Sequence, residues 1–206
     1  MFTENQIKEL NKSFENASPA DIIKKAFELN NKAVVTTNFR PYEAAILHAV
    51  SSVESKIPVV WCDTGYNTPQ TYKHAEKVIK DLDLNIFLYV PKQTSAHRDV
   101  VLGIPSVDAP EHALFTEQVK LEPFKRAMDE HKPNVWFTNL RQGQTAFRNS
   151  IGIFSVSKDG VLKVSPFYYW SDEKLDTYLK ENNLSNEFKY FDPTKALENR
   201  ECGLHA

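Results

Sequence analysis

Short apolar runs rich in β-branched residues alternate with segments of helical periodicity along most of this chain, and this alternation constrains the fold most strongly. The first three runs are Ala33–Thr37, Ile57–Cys62 and Asn85–Val90. Apolar residues at helical spacing fill the intervals between them, over Tyr42–Val53 and Pro69–Leu82. Strands that alternate with helices pair mainly in parallel through right-handed crossovers. The pattern therefore predicts an α/β fold with a mainly parallel, twisted sheet and helices on both faces.

The rest of the chain extends the same pattern. Helical spacing predicts further helices over 7–14, over 22–29 with Pro19 opening that helix, over 121–131 and from Ser171 to about 182, and a strand is predicted over 135–138. Asp159-Gly160 lies between two β-prone runs, at 153–156 and 161–164, which predicts a hairpin. Pro41 is expected in the first turn of the helix that follows it. Residues 91–117 have only weak periodicity, and irregular stretches of this length are often functional.

Composition narrows the class of protein. The chain carries 25 basic and 27 acidic side chains, a formal net charge of -2, which gives no support for a nucleic-acid or membrane-surface role. No apolar run approaches the roughly 20 residues that cross a bilayer, and no signal peptide is recognisable, so a cytoplasmic protein is expected. The two cysteines, Cys62 and Cys202, are expected to be thiols there, and they are too few for the usual four ligands of an iron–sulfur cluster. No histidine spacing is typical of a zinc site, so no metal is predicted.

The topology points to three loops as the ligand-binding region, because ligands of such sheets bind beyond the carboxyl ends of the strands. In the first loop, Thr37, Asn38 and Arg40 precede a helix whose first amides lack internal partners, and together these groups could hold a phosphate or sulfate. Ordinary helix capping is an equally good interpretation of the first loop alone. It contains neither a glycine-rich P-loop nor a GxGxxG motif, which disfavours those two nucleotide-binding classes.

The second and third loops add an acceptor and two further cations. Asp63 could accept hydrogen bonds from a ribose or a base, and Gly65 permits close backbone approach, although a capped turn is the alternative. Arg141 and Arg148 suit phosphate and sulfate oxygens, and solvated arginines are the alternative there. Cys62 follows a buried strand and is interpreted as a packed thiol.

The C-terminal run Arg200-Glu201-Cys202-Gly203-Leu204-His205-Ala206 is the sharpest chemical feature. Arg200 and His205 flank the thiol and would favour the thiolate, which is the nucleophilic form. Gly203 would let the backbone turn tightly over a ligand. These residues predict that Cys202 is a redox-active nucleophile, whereas tail composition alone leaves an unimportant terminal cysteine open.

Several motifs, in this order along the chain, resemble those of the phosphoadenylyl-sulfate (PAPS) reductases, the assimilatory sulfonucleotide reductases. They are Thr37-Asn38-Phe39 for the modified phosphate loop, Asp63-Thr64-Gly65-Tyr66 for the DTGY region, Lys120-Leu121-Glu122-Pro123 for the K-V-E-P segment, Leu140-Arg141 through Arg148 for the arginine loop, and Glu201-Cys202-Gly203-Leu204-His205 for the ECGLH signature. The resemblance covers roughly residues 30 to 206. Arg40 departs from it, because the family usually has glycine there, and the connection from Tyr190 to Arg200 is shorter than is usual.

The resemblance implies a fold of the adenine-nucleotide alpha-hydrolase type, with a sulfonucleotide-binding domain at 1–190 and a mobile catalytic tail at 191–206. It implies that Cys202 attacks the sulfur of PAPS, that adenosine 3',5'-bisphosphate leaves, and that thioredoxin or glutaredoxin then releases sulfite from the enzyme S-sulfocysteine. The substrate-binding residues it implies are Thr37, Asn38, Phe39, Arg40, Asp63, Thr64, Gly65, Lys120, Arg141, Arg148 and His205. It further implies a cluster-free enzyme without a bound cofactor, acting as a homodimer.

Three other functions remain open at this point. Adenylyl-sulfate (APS) could replace PAPS as substrate, although the chain lacks the paired cysteines of the cluster-containing APS reductases. Arg40 is a hypothetical contact to the 3'-phosphate that distinguishes the two substrates. An ATP pyrophosphatase of the same superfamily would need a glycine-rich SGGxDS loop, which is absent. The last alternative is a non-catalytic nucleotide-binding protein that kept the fold.

Overall fold

A six-stranded sheet organises the protein, whose computed structural model describes residues 2–195. The strands are β1 (Ala33–Thr37), β2 (Val59–Cys62), β3 (Ile86–Tyr89), β4 (Val135–Phe137), β5 (Phe154–Val156) and β6 (Leu162–Val164). Their order across the sheet is β3-β2-β1-β4-β6-β5, and only the β5–β6 pair is antiparallel. The predicted mainly parallel sheet is confirmed, and so is the hairpin around Asp159-Gly160, where Gly160 has a φ of 80°.

Helices cover both faces of the sheet, as predicted. They are α1 (Glu4–Phe14), α2 (Pro19–Leu29), α3 (Glu43–Val53), α4 (Pro69–Asp81), α5 (Ser95–Val101), α6 (His112–Thr116), α7 (Glu122–His131) and α8 (Asp172–Glu181). Successive strand residues point to opposite faces. Val35 therefore packs in the larger core with α2, α3, α4 and α8, whereas Val34 packs with Trp136 and Ala127 of α7 on the other face. Within residues 2–195, no helix combines the length and apolar composition needed to span a membrane.

Among residues 2–195, five helices start with a side-chain cap, and α2, α4 and α8 are examples. The hydroxyls of Ser18, Thr68 and Ser171 each accept a hydrogen bond from the amide three residues further on. Pro19 and Pro69 occupy first-turn positions, where a missing N–H costs nothing. These signals are local in the sequence, which is why α2, α4 and α8 begin where periodicity and capping residues predict.

Helix α3 begins differently from the prediction. The expected start at Tyr42 with Pro41 in the first turn is wrong, because the first helical residue is Glu43. Tyr42 has a left-handed backbone (φ 68°), and so does Phe39 (φ 54°). These two unusual conformations turn the chain so that the Glu43 side chain reaches back to the end of β1. A left-handed conformation is costly for a non-glycine residue, so this loop is held by its contacts.

About half of the weakly periodic stretch, residues 91–117, is helical. Helices α5 and α6 have only 7 and 5 residues, too short for an apolar period to show clearly. Helix α6 runs through a π-helical turn, Glu117–Leu121, directly into α7. The helix predicted from Leu121 thus begins nine residues earlier, at His112. Single π-helical turns inside α-helices are frequent at functional sites, and this one contains Lys120.

Candidate functional site

A pocket of about 260 Å³ lies at the carboxyl ends of β1, β2 and β4. The chain runs from β1 to β2 on one side of β1, whereas β4 pairs with β1 on the other side. The direction of the strand order reverses between β1 and β4, and this reversal leaves a crevice there. The walls come from all three loops that the sequence singles out, from the α6–α7 helix and from the segment after α8. They include Thr37, Asn38, Arg40, Glu43, Cys62, Thr64, Asn67, Lys120, Trp136, Thr138, Asn139, Arg148, Tyr190, Asp192 and Lys195.

The first loop closes around a carboxylate of the chain itself. Glu43 Oε2 accepts hydrogen bonds from Thr37 Oγ1 at 2.8 Å and from the Asn38 amide at 2.9 Å. Glu43 Oε1 accepts from Arg40 Nε at 2.9 Å. The same Arg40 donates through Nη2 to the Asn139 carbonyl at 3.2 Å and so joins the first and third loops. The donors that were expected to hold a phosphate or sulfate thus hold an internal anion in this structure.

Asn38 also connects the loop to the segment after α8. Its side-chain amide lies 2.6 Å from the Tyr190 hydroxyl. With the amide nitrogen turned toward Glu43, it donates to the carboxylate at 3.0 and 3.2 Å, while the amide oxygen accepts from Tyr190. In this orientation both the nitrogen and the oxygen of the Asn38 side-chain amide have hydrogen-bond partners. Tyr190 therefore forms a wall of the pocket and is fixed by the first loop.

Lys120 forms the opposite wall from within the π-helical turn. Its buried ammonium pairs with the buried carboxylate of Asp192 and donates to Thr194 Oγ1 at 3.3 Å. Burial raises the pKa of the Asp192 carboxyl. The Lys120 ammonium and the hydrogen bonds from Lys120 and Thr194 outweigh that effect and lower this pKa below its usual value. Asp192 is therefore ionised at neutral pH.

The two arginines of the third loop point to different places. Arg148 is buried, lines the pocket and donates to Gln144 Oε1 at 2.5 Å. Arg141 instead pairs with Asp172 at 2.5 Å, at the start of α8, and stacks over the Tyr42 ring at 5.2 Å. It lines a second, adjoining pocket of about 510 Å³. This neighbour shares Arg40, Arg148 and Lys195 with the first pocket. A continuous cationic cleft results.

The second loop is organised by Asp63. Its Oδ1 accepts from the Gly65 amide and the Asn67 side chain, both at 2.9 Å, and from Tyr72 Oη at 3.0 Å. Burial and the Asp63 charge together raise the pKa of Tyr72 to about 12. Gly65 has a φ of 80°, a conformation that favours glycine. Of the predicted residues in this loop, Thr64 lines the pocket, whereas Asp63 and Gly65 shape the loop behind it.

Two further residues pack in the interior, and one of them, Phe39, is a residue for which the resemblance implies substrate binding. Phe39 is fully buried and meets the Trp61 ring edge-on at 4.9 Å, so it anchors the first loop to the core. Cys62 lines the pocket, but burial raises the pKa of its thiol to about 12, with Lys120 and Arg126 acting in the opposite direction. At neutral pH the Cys62 thiol is thus protonated, in agreement with its interpretation as a packed thiol.

Several lining residues of the pocket were not predicted from the sequence, among them Glu43, Tyr190, Asp192 and Lys195. Glu43 lies only three residues after its cation, Arg40, so that pair has a local signal, whereas Asp192 meets Lys120 across 72 residues and has none. Cys202 and His205 lie outside the described residues, and so does most of the tail predicted at 191–206. The boundary at residue 190 stays a prediction. Within residues 2–195, no three His, Cys, Asp or Glu side chains are grouped as a metal site requires.

The fold and the pocket together define an α/β protein of the adenine-nucleotide alpha-hydrolase type with a cationic cleft at its switch point. Comparison with known proteins gives the family. The sequence profile described as "Phosphoadenosine phosphosulfate reductase domain" matches residues 32–189. The chain therefore belongs to the phosphoadenosine phosphosulfate reductase family, a family of sulfonucleotide reductases, and the resemblance found in its motifs is confirmed.

Individual relatives agree with this assignment. The chain is 32% identical to a phosphoadenosine 5'-phosphosulfate reductase of Vibrio cholerae, over 87% of the chain and 71% of that protein. It is 29% identical to the enzyme of the same name from Vibrio atlanticus, over 96% and 85%. A crystal structure of PAPS reductase from Candida auris in a phosphate complex superposes with a TM-score of 0.79, covering 90% of each chain at 24% identity. That structure supports the fold.

Proposed function

We propose that this protein reduces PAPS to sulfite and adenosine 3',5'-bisphosphate, as a step of sulfate assimilation in the cytoplasm. The observation that carries the proposal is the cationic pocket at the switch point of a chain in this family. Arg40, Lys120, Arg148 and Lys195 line it, and a phosphosulfate needs such a concentration of positive charge. The Thr64 hydroxyl and the Trp136 ring add polar and aromatic contacts for a nucleoside.

In the proposed reaction, the Cys202 thiolate attacks the sulfur of PAPS. The bond from sulfur to the bridging oxygen breaks, adenosine 3',5'-bisphosphate leaves with that oxygen, and Cys202 carries the sulfo group. A dithiol protein, thioredoxin or glutaredoxin, then attacks the Cys202 sulfur, and sulfite leaves with the electron pair of the S–S bond. The second thiol of that protein then attacks the resulting mixed disulfide and releases the Cys202 thiolate, so the dithiol ends as a disulfide while sulfur is reduced by two electrons. No cofactor is consumed, and the motifs favour a homodimer.

The first experiment measures sulfite release from PAPS with reduced thioredoxin. Wild type and Cys62→Ala are expected to release sulfite, because a thiol that is protonated at neutral pH is a poor nucleophile. Cys202→Ser is expected to lose at least about 10³-fold in rate, since a hydroxyl is a far weaker nucleophile at neutral pH. Activity retained by Cys202→Ser would refute the mechanism.

The same assay with APS in place of PAPS tests the substrate. Arg40 borders both halves of the cleft and bonds to the first and third loops, so it is placed to meet a 3'-phosphate. Arg40→Gly is expected to weaken PAPS binding about tenfold while leaving APS binding nearly unchanged, the loss of one charge-assisted contact. Equal effects on both nucleotides would remove Arg40 from 3'-phosphate recognition.

One observation bears against the pyrophosphatase alternative. The loop that would cradle a triphosphate is closed on the Glu43 carboxylate through Thr37, Asn38 and Arg40. A further phosphate at this position would face a negative charge at close range. ATP hydrolysis by the purified protein would contradict this interpretation.

A further inference from the structure

The segment after α8 forms a strap over the pocket, which we define as residues 185–195. Its Lys189 carbonyl accepts from Thr68 Oγ1 at 2.6 Å, at the start of α4. Tyr190 meets Asn38 of the first loop, and Asp192 reaches Lys120. The strap therefore bridges three walls of the pocket, and its last described residues lie inside it.

The turn at the end of the strap aims one carboxylate at Lys120. Asp192 Oδ1 accepts from the Thr194 amide at 3.0 Å and from the Thr194 hydroxyl at 2.6 Å, and the Lys195 amide donates to the Asp192 carbonyl at 3.0 Å. These bonds leave Oδ2 for the Lys120 ammonium. Side-chain exposure is 7% for Lys120 and 6% for Asp192, so solvent contributes little to either charge.

A buried ammonium requires a counter-anion, because an unpaired buried charge is strongly unfavourable. Among residues 2–195, the carboxylate that pairs with Lys120 is that of Asp192. An anionic ligand in the same pocket would bring a second negative charge to Lys120, and the two anions would repel each other at short range in a poorly solvated site. One of them must leave.

We propose that Asp192 is a positioning residue that neutralises Lys120 in the empty pocket and is displaced by the anionic group of the substrate. Displacement frees the end of the strap, ten residues before Cys202, only when the pocket is filled. The exchange couples occupancy of the pocket to release of the segment that leads to the nucleophile. This inference rests on the proposed function, since it takes the ligand to be a sulfonucleotide.

The test is a calorimetric titration of adenosine 3',5'-bisphosphate into wild type and Asp192→Asn. Removing the negative charge of Asp192 is expected to lower the dissociation constant of the bisphosphate about tenfold. Asp192→Glu keeps the charge and is expected to bind within about twofold of wild type. Asp129→Asn is the matched control, because it removes an aspartate from an exposed pair with Lys125 and changes the net charge equally.

If Asp192 only maintained the structure of the pocket, Asp192→Asn would bind the bisphosphate more weakly than wild type. The direction of the change in affinity therefore distinguishes the two roles. Unchanged or weaker binding by Asp192→Asn refutes the inference, as does equal tightening in Asp129→Asn. The double variant Lys120→Met/Asp192→Asn is expected to bind no tighter than Lys120→Met. Tightening that survives without Lys120 would also refute it. If the bisphosphate binds to none of these proteins, including wild type, the proposed function fails, and the inference fails with it.

Discussion

The two sides of the pocket each neutralise a cation with a carboxylate of the chain, but the carboxylates come from very different places. Glu43 lies three residues after Arg40, in the first turn of α3, and α3 is packed in the larger core. Asp192 lies 72 residues after Lys120, on a strap that follows the last helix. The first anion is part of the scaffold, whereas the second can leave without unfolding a helix. We therefore distinguish a fixed wall, which carries Arg40 and Glu43, from an exchangeable wall, which carries Lys120 and Asp192.

The largest expected effect tests whether the wall that carries Lys120 is closed to solvent at its base. Cys62 packs there in the smaller core beside α7, and burial raises the pKa of its thiol to about 12. Because the thiolate is the reactive form, alkylation of Cys62 at pH 8 is expected to be about a thousandfold slower than that of an unperturbed thiol. Timed alkylation with peptide mass spectrometry checks this, with urea-unfolded protein as the reference. Equal rates in folded and unfolded protein would show that this wall opens.

The next effect concerns the anion of the scaffold. Glu43→Gln replaces a carboxylate that accepts from Thr37, Asn38 and Arg40, and leaves the Arg40 charge partly unpaired. We expect the free energy of unfolding to fall by about 2–3 kcal/mol. Urea titration measures it. Glu28→Gln, in an exposed pair with Lys25, is the control and should cost less than about 0.5 kcal/mol. If Glu43→Gln and Glu28→Gln lowered the free energy of unfolding by the same small amount, Glu43 would not be part of a fixed wall.

A smaller effect is expected at the exchangeable wall. Asp192→Asn should lower the free energy of unfolding by about 1 kcal/mol or less, because the strap can undock locally while the core stays folded. The pKa of Asp192 is lowered in the folded protein, so its contribution is present above the unfolded pKa near 4 and lost as pH falls through the folded value. Wild type and Asp192→Asn should therefore converge in stability at low pH. A loss as large as that of Glu43→Gln would make the strap part of the scaffold.

The smallest expected effect concerns the hydrogen bond that links the strap to the first loop. Tyr190→Phe removes the hydroxyl that meets Asn38 at 2.6 Å. A loss of about 0.5 kcal/mol is expected for one hydrogen bond at a partly open site. Thermal unfolding of this variant beside Tyr169→Phe, whose ring is 44% exposed, measures it. No difference between the two variants would mean that the first loop does not hold the strap.

Much of the fold could be predicted from the sequence, because its signals are local. β-prone runs, the Asp-Gly hairpin and capping residues such as Thr68 and Ser171 all act within a few positions. The loops around the pocket followed from one topological rule about parallel sheets. The start of α3 could not be predicted in this way. Its position depends on left-handed backbone conformations at Phe39 and Tyr42, which neither residue type favours.

The charge pattern of the site was less accessible. Motifs marked Lys120 and Arg148, and the structure places both on the pocket. Arg141 carries the same kind of signal, yet it turns toward Asp172 beside the adjoining pocket. The Lys120–Asp192 pair joins residues far apart in sequence, and the π-helical turn that presents Lys120 has no periodic signature. Such contacts arise from tertiary packing.

The most direct measurement asks where the sulfo group goes. The protein is incubated with PAPS without any dithiol reductant, and its cysteine peptides are analysed by mass spectrometry under mild conditions. We expect one added SO₃ group on the peptide that contains Cys202, none on the peptide that contains Cys62, and release of an equal amount of adenosine 3',5'-bisphosphate. A sulfo group on Cys62, or bisphosphate release without modification of Cys202, would contradict the account.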